Sequence, residues 1–443
     1  MKPSLAARLR HVSKMFQPSY VLPKGMRMEG TTCKSQRLML TNGLIRPSGP
    51  GTFHLLPLAQ RALDKLIRLI DSEMAQVGGQ KMSMPCLTSA APWKESGRWN
   101  LMGAELLKLQ DRHGAEMCLA PTHEEAITEI IASESLLSYK QLPIKLYQVT
   151  TKFRDERRPR FGLLRGREFL MKDMYSFDVS EEAAECTYHT ICDAYLSLFR
   201  RLQLDCVKVV GDTGSIGGSL SHEYHLLADT GEDDLFYCHR CGYGVNAETT
   251  DGKKPACTKT CDKDCLMGAR KGIEVGHAFL LGTKYSKIFG ADFIDAAGSK
   301  QLTEMGCYGL GVTRILAASV EVLSSEDEIR WPSIIAPYLI YIVLPKRKSK
   351  EEGAIPLAER LCCDLLQLSP SLEDELLLDD RDQLTIGRKV MEAKKLGFPY
   401  IIVVGKKALE DKPLYELHDT NQDRTEYLTR DGLFNALRLL SVI

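Results

Sequence analysis
The chain has no acidic residue among its first 28 positions, no net formal charge overall, and no apolar run near the ~18 residues that a membrane-spanning helix needs. The zero balance excludes a globally basic surface, so a polyanion would have to be met by local patches. Internal repeats and low-complexity tracts are also missing, which argues against solenoid and fibrous architectures. Fourteen cysteines are present, but they do not form the short, evenly spaced framework of a disulfide-stapled domain. Most stand singly in apolar patterns, as Cys192, Cys206 and Cys362 do, where thiols act as small hydrophobes in a reducing compartment.

What is present begins with a basic leader. Residues 1–28 carry Lys2, Arg8, Arg10, Lys14, Lys24 and Arg27, and the first acid is Glu29. An acid-free, Arg-containing start reads as an organelle transit peptide over residues 1–29, removed before folding and addressed to the mitochondrial matrix. The other reading is a basic disordered tail that contacts nucleic acid.

The remainder of a 443-residue chain is too long for one core, so two or three domains are expected. In residues 57–77, Leu58, Ala62, Leu63, Leu66, Leu69 and Ile70 recur at helical spacing, with Pro57 in the first turn and Gly78-Gly79 as the stop. A short strand ending at Pro85 should follow, with further helices over 123–139 and 180–203. LYQVTTKFRDE and REFLMKDMYSFD read as antiparallel strands around a basic loop. A second antiparallel pair is expected near 276–282 and 302–308, then a helix over 312–322. Beyond Trp331-Pro332, strands and helices alternate, which predicts a small α/β module with a mostly parallel sheet. The expected fold is therefore α+β: a body over 30–335 with an antiparallel sheet flanked by helices, then an α/β domain over 336–443.

Chemistry concentrates on the hairpin. Arg154 and Glu156 would share one face of a strand, opposite Phe169 on its partner. A guanidinium clamps phosphate or carboxylate bidentately, an aromatic ring stacks on a base, and a carboxylate accepts from an exocyclic amine. The bland alternative is a solvated hairpin with cross-strand ion pairs.

Three segments decide between these. F-R-x-E, a basic loop and R-x-E-F resemble motif 2 of the class II aminoacyl-tRNA synthetases. The helix and strand ending at Pro85 resemble motif 1, and Gly309-Leu310-Gly311-Val312-Thr313-Arg314 resembles motif 3. Within that family the chain looks like the bacterial-type prolyl-tRNA synthetases, through WKESGRW (93–99), PTHEE (121–125), SYKQLP (138–143), DTGSIGGSLSHEY (212–224), EVGHAFLLGTKYS (274–286), EMGCYGLGVTR (304–314) and LDDR (378–381). The resemblance implies that proline is activated with ATP and Mg²⁺ and passed to tRNA(Pro), and that the chain is a homodimer.

It also implies roles by position. Arg154 would bridge the amino-acid carboxylate and the ATP α-phosphate; Glu156 would meet the adenine amine and Phe169 its ring. Arg314, with Arg165 or Arg167, would hold the terminal phosphates. Thr122 and Glu124 would receive the proline imino group, although Glu124 and Glu125 could equally be acids favoured by a helix N-terminus. His277 and Cys307 fall in pocket segments, against the alternatives of a satisfied core histidine and a structural thiol. His222-Glu223 could face a metal or phosphate. In the C-terminal module, which resembles an anticodon-binding domain, Asp380, Arg381 and Lys389 are the candidate tRNA contacts. A synthetase for another amino acid such as threonine, or a non-catalytic synthetase-like nucleic-acid-binding subunit, are the competing readings.

The sequence departs from its relatives in one place. Only residues 238–272 stand where bacterial-type enzymes commonly insert an editing domain, so editing within this chain is not expected. This insert carries Cys238, Cys241, Cys257, Cys261 and Cys265. Either Cys238, Cys241 and two of the later three hold zinc, or the irregular second spacing marks a lysine-rich loop with incidental thiols.

Overall fold
The computed structural model describes residues 9–18, 33–134, 137–250, 252–255, 257 and 267–438. The chain forms two compact units. One contains Pro47–His54 and Leu66–Ala318; the other gathers Met1–Arg46, Leu55–Lys65 and Ser319–Ile443. By contacts, residues before 47 and 55–65 thus group with the C-terminal part of the chain. No described helix is long and apolar enough to cross a membrane.

Helix α1 runs Pro57–Gln76, close to its predicted bounds, and strand β1 is Gln80–Lys81. Helix α2, Glu124–Ala132, is shorter than its periodicity suggested. The hairpin is β2, Ile144–Phe153, with β3, Glu168–Asp178, pairing Phe153 with Glu168 and Lys152 with Phe169. Helix α3 covers Glu181–Arg201, with the Ser180 side chain accepting from the Ala183 N–H as its cap. Four strands follow, of which the sequence reading anticipated only the one through His222-Glu223: β4, Cys206–Val210; β5, Leu220–Leu227; β6, Asp233–Tyr237; and β7, Gly244–Asn246. The unit continues with β8, Gly268–Gly282, and β9, Glu304–Gly311; helix α4, Val312–Leu323, starts directly after β9.

These strands form one nine-stranded sheet in the order β5-β4-β7-β6-β8-β9-β3-β2-β1, with β5 also paired to β8. Alternation assigns its two faces. Lys172, Ala278 and Tyr308 are buried on one, where Tyr188 and Tyr195 of α3 are buried too. Lys172 donates to the Tyr195 hydroxyl and, at 3.0 Å, to the Tyr308 carbonyl; burial pushes its pKa down to about 7. Tyr175, Phe279 and Cys307 turn to the other face and share a core with Ile127 and Ile131 of α2. A Cβ at Gly276 would lie 2.7 Å from Leu310 Cδ2 and 3.1 Å from the Gly309 carbonyl oxygen, so a side chain there would force the buried Leu310 to shift.

In the other unit, β10 (Ile340–Val343), helix α5 (Ile355–Leu368), β11 (Leu376–Asp379), helix α6 (Ile386–Leu396) and β12 (Tyr400–Val403) follow the predicted alternation. β10 pairs in parallel with both β11 and β12. An antiparallel hairpin, β13 (Tyr415–Asp419) and β14 (Arg424–Leu428), completes that side of the sheet.

The opposite edge is made by residues that fall inside the expected transit peptide, residues 1–29. Arg10 and His11 pair in parallel with Leu377 and Leu378. The Ser13 N–H and Oγ donate to the Asp380 carboxylate at 2.9 and 2.6 Å, and Leu9 packs on the apolar core. The physical reason is local: the outer edge of β11 offers backbone partners, and Asp374 and Asp380 offer negative charge to Arg10 and His11. Residues 1–8 and 19–29 lie outside the described residues.

Candidate active site
Two cavities adjoin on the α2 side of the sheet, and Arg154, Phe169, Glu274 and Arg314 line both. The larger, about 270 Å³, is walled by charge: Glu105, Glu156, Arg165, Glu232 and Asp233 join those four. The smaller, about 150 Å³, is lined by residues at two-residue spacing: Phe169, Met171 and Asp173 of β3, His277 and Phe279 of β8, and Cys307, Gly309 and Gly311 of β9. A period of two on three neighbouring strands makes one continuous floor.

β2 ends at Phe153, so Arg154 and Glu156 sit on the turn beyond it rather than on one strand face. The Arg154 N–H donates to the Arg167 carbonyl at 2.9 Å, which anchors the turn to the returning strand. Its guanidinium lies over the Phe169 ring, 5.4 Å from the centroid. Arg154 Nε is shut from solvent and has no hydrogen-bond partner among the described residues. Burial, then the like charge of Arg314, lower the Arg154 pKa from its ordinary value. Two guanidinium groups that disfavour each other and converge on one space form a site for an anion.

Arg314 enters from the first turn of α4, donating to the Leu164 carbonyl at 2.9 Å and to the Glu274 carboxylate at 2.9 Å. Burial works against charge on Glu274, but the His277 hydrogen bond and Arg314 hold its carboxyl well below the usual range. His277 is held in turn: Nδ1 lies 3.2 Å from Glu274, Nε2 lies 2.5 Å from Ser221 Oγ, and its ring stacks on Phe279 at 3.9 Å.

Glu124 closes the small cavity. It is 0% exposed and accepts from Thr122 Oγ1 at 2.7 Å, Arg98 at 2.9 Å and Cys307 Sγ at 3.1 Å. Arg98 also binds Glu125 at 3.0 and 3.1 Å, so one buried guanidinium serves two buried carboxylates. Burial opposes the charge on Glu124, yet Arg98 and Thr122 leave its pKa lowered; Glu125 is raised by burial and by the nearby Glu124 charge. These acids are therefore more than helix-dipole partners. The Tyr175 hydroxyl accepts from the His123 N–H at 3.0 Å and donates to Asp173 at 2.9 Å, which pins the start of α2 to β3.

Other expected residues fall differently. Glu156 accepts from Arg165 at 2.9 Å, and Arg165 also pairs with Glu232, all on the wall of the large cavity. Arg167 lines neither cavity; its guanidinium is engaged by Asp155. His222 and Glu223 line neither cavity, although Glu223 pairs across the strands with His277. His222 Nδ1 is 2.7 Å from the Tyr188 hydroxyl, and Glu223 is bound by His225 and Asn246 at 2.8 and 2.9 Å. Sequence reasoning missed Arg98 and Glu274, although both stand inside segments that carried the resemblance.

In the other unit, Arg381 is held by Asp379 and Glu392, each at 2.7 Å, and lines a cavity of about 680 Å³ together with Ser13, Tyr341 and Arg388. Asp380 is taken up by Ser13. Lys389 corrects its assignment as a tRNA contact: it is 0% exposed and donates to the Leu344 and Asp379 carbonyls at 2.8 and 3.1 Å, bracing β11. Cys238, Cys241 and Cys257 come together away from all these cavities, whereas Cys261 and Cys265 lie outside the described residues.

Comparisons with known proteins bear on the family and the fold. Residues 107–323 match the tRNA synthetase class II core domain (G, H, P, S and T), and residues 342–439 match the anticodon binding domain. A probable mitochondrial proline–tRNA ligase of Rattus norvegicus is 54% identical over 98% of this chain and 91% of its own length. A probable mitochondrial proline–tRNA ligase of Schizosaccharomyces pombe is 38% identical over 94% and 96%. The proline–tRNA ligase of Sulfurimonas denitrificans is 39% identical over 85% and 88%. A solved prolyl-tRNA synthetase of Cryptosporidium parvum, in complex with halofuginone and AMPPNP, shares the fold with a TM-score of 0.73 at 16% identity, covering 91% of this chain and 74% of its own.

Proposed function
This chain belongs to the class II proline–tRNA ligases, and on that premise we propose how its residues divide the work. The enzyme acts in mitochondria, and we assign it to the matrix. It uses ATP to activate proline and transfers the prolyl group to tRNA(Pro).

The observation that carries the assignment is that Arg154, with a buried donor unmet among the described residues, borders both cavities. The small, partly apolar cavity takes proline. Its ring rests against the stacked pair His277–Phe279 and the Cys307 thiol, and its imino group donates to Glu124. The larger cavity takes ATP, with the adenine over Phe169 and its amine directed to Glu156. Arg314 and Arg165 face the phosphates, and Arg167 steadies the loop through Asp155.

A proline carboxylate oxygen attacks the α-phosphorus, and the bond to pyrophosphate breaks in line. The Arg154 guanidinium neutralises charge shared by the two reacting groups. No side chain forms a covalent bond. The terminal hydroxyl of tRNA then attacks the prolyl carbonyl and AMP leaves. The Asp233 carboxylate, with the Glu274 lone pairs not taken up by Arg314 and His277, would offer the hard oxygen donors for Mg²⁺ on the large cavity's wall, and the ion would supply positive charge against the phosphates.

For tRNA, Arg388 is the better positioned side chain of the C-terminal module. Its side chain is 58% exposed, and it lines the same cavity as Arg381. Proline, and not threonine, should support ATP–pyrophosphate exchange by the purified chain. Arg388→Ala should leave that exchange intact while lowering tRNA charging; equal loss of both would remove the assignment. The motif 1 resemblance supports a pair of identical chains, a reading that a single-chain mass in sedimentation would end.

A further inference from the structure
We propose that Cys238, Cys241 and Cys257 form a thiolate centre that takes zinc. β6 ends at Tyr237 and delivers Cys238 directly into a tight turn. The Cys238 N–H donates to the Tyr243 carbonyl at 2.8 Å, and the Gly242 N–H donates back to the Cys238 carbonyl at 2.9 Å. Gly242 has φ +73°, a left-handed conformation that a side chain would strain. The turn folds Cys241 back beside Cys238, and Cys257 returns to both. All three sulfur atoms lie within 4.8 Å of one another, with Cys241 and Cys257 3.2 Å apart.

Three soft donors converging in this way suit a thiophilic cation of tetrahedral preference, and zinc is the redox-inert choice. The site also answers a structural need. The apolar cluster beneath it consists of Cys238, Val245 and Met267 with a few half-buried neighbours, too little to hold an insert in one conformation without a staple. None of the three cysteines lines either active-site cavity, so the centre is separate from the chemistry of proline activation. Three described thiols leave a fourth coordination position for a further ligand.

The full chain, expressed with zinc and purified under reducing conditions without chelator, should retain one zinc per chain by elemental analysis. Exchange with Co²⁺ should give the absorption of a tetrahedral thiolate site. Cys241→Ser and Cys257→Ser should each retain at least tenfold less metal while proline-dependent pyrophosphate exchange persists. Absence of stoichiometric zinc, full zinc retention in both variants, or a Cys241–Cys257 disulfide with no bound metal would each overturn the proposal. Should the variants fail to fold, the cobalt spectrum of the unaltered chain decides: lack of thiolate charge-transfer bands counts against the centre.

Discussion

Arg154→Ala is expected to lower proline-dependent ATP–pyrophosphate exchange by roughly 10²–10³-fold, the loss typical of removing one preorganised donor from a charge-stabilising site. The size follows from position. The guanidinium stacks on Phe169 and lies beside Arg314, and its Nε has no protein acceptor among the described residues. Its donors are therefore held in place before substrate arrives. Because it makes no ion pair at hydrogen-bond distance among the described residues, and Glu274 and Glu124 keep Arg314 and Arg98 as partners, the fold should be spared. Circular dichroism should be unchanged while kcat falls. Arg154→Lys keeps the charge but loses the planar fork, and recovers only part of the rate. Exchange within threefold of the unaltered enzyme would refute the assignment.

Arg98→Met should produce the opposite pattern, with damage to stability as well as rate. It would leave Glu124 and Glu125, 0% and 1% exposed, without their shared cation. Breaking a buried ion network from one side costs about 3–5 kcal/mol. Part of this is relieved when one glutamate takes up a proton, and Glu125, already raised, is the one that does so. Urea unfolding should therefore show an earlier transition. The KM for proline should rise, because the Glu124 carboxylate is no longer fixed. Arg98→Met with Glu125→Gln should regain some stability, since one stranded charge has gone. An unchanged unfolding midpoint in Arg98→Met would show that the pair is not under the strain of burial described here.

The contrast between these two arginines also shows what was legible in the chain. Arg154 could be found because F-R-x-E, the basic loop and R-x-E-F lie close together in the letters and resemble motif 2, although the expected shared strand face gave way to a turn after Phe153. Arg98 could not, because its carboxylates lie 26 and 27 residues away and meet it only after folding. Glu274 was hidden similarly, 40 residues before Arg314. Long helices such as α1 and α3 were readable from their apolar period, and so was the alternation from β10 to β12. Strands β4 to β7 are mostly short and rich in polar side chains, so their pairing depends on neighbours that the local pattern does not reveal. Lys389 illustrates the limit of reading charge: in RKVMEAKK it resembles its exposed neighbours, yet the turn of α6 carries it inward to two carbonyl groups. The grouping of residues 55–65 with the C-terminal unit was likewise out of reach, because contacts and not chain order draw that boundary.

The strand formed by Arg10 and His11 has its own consequence for the sheet edge it covers. Any shortening of the chain past Ser13 bares the outer rim of β11 and releases the Asp380 carboxylate. The trimmed protein then presents a row of open amide donors and acceptors beside Arg381, where an extended peptide or an unpaired nucleotide strand could lie alongside. The chain with and without Arg10–Ser13 would thus present different faces at this edge of the sheet.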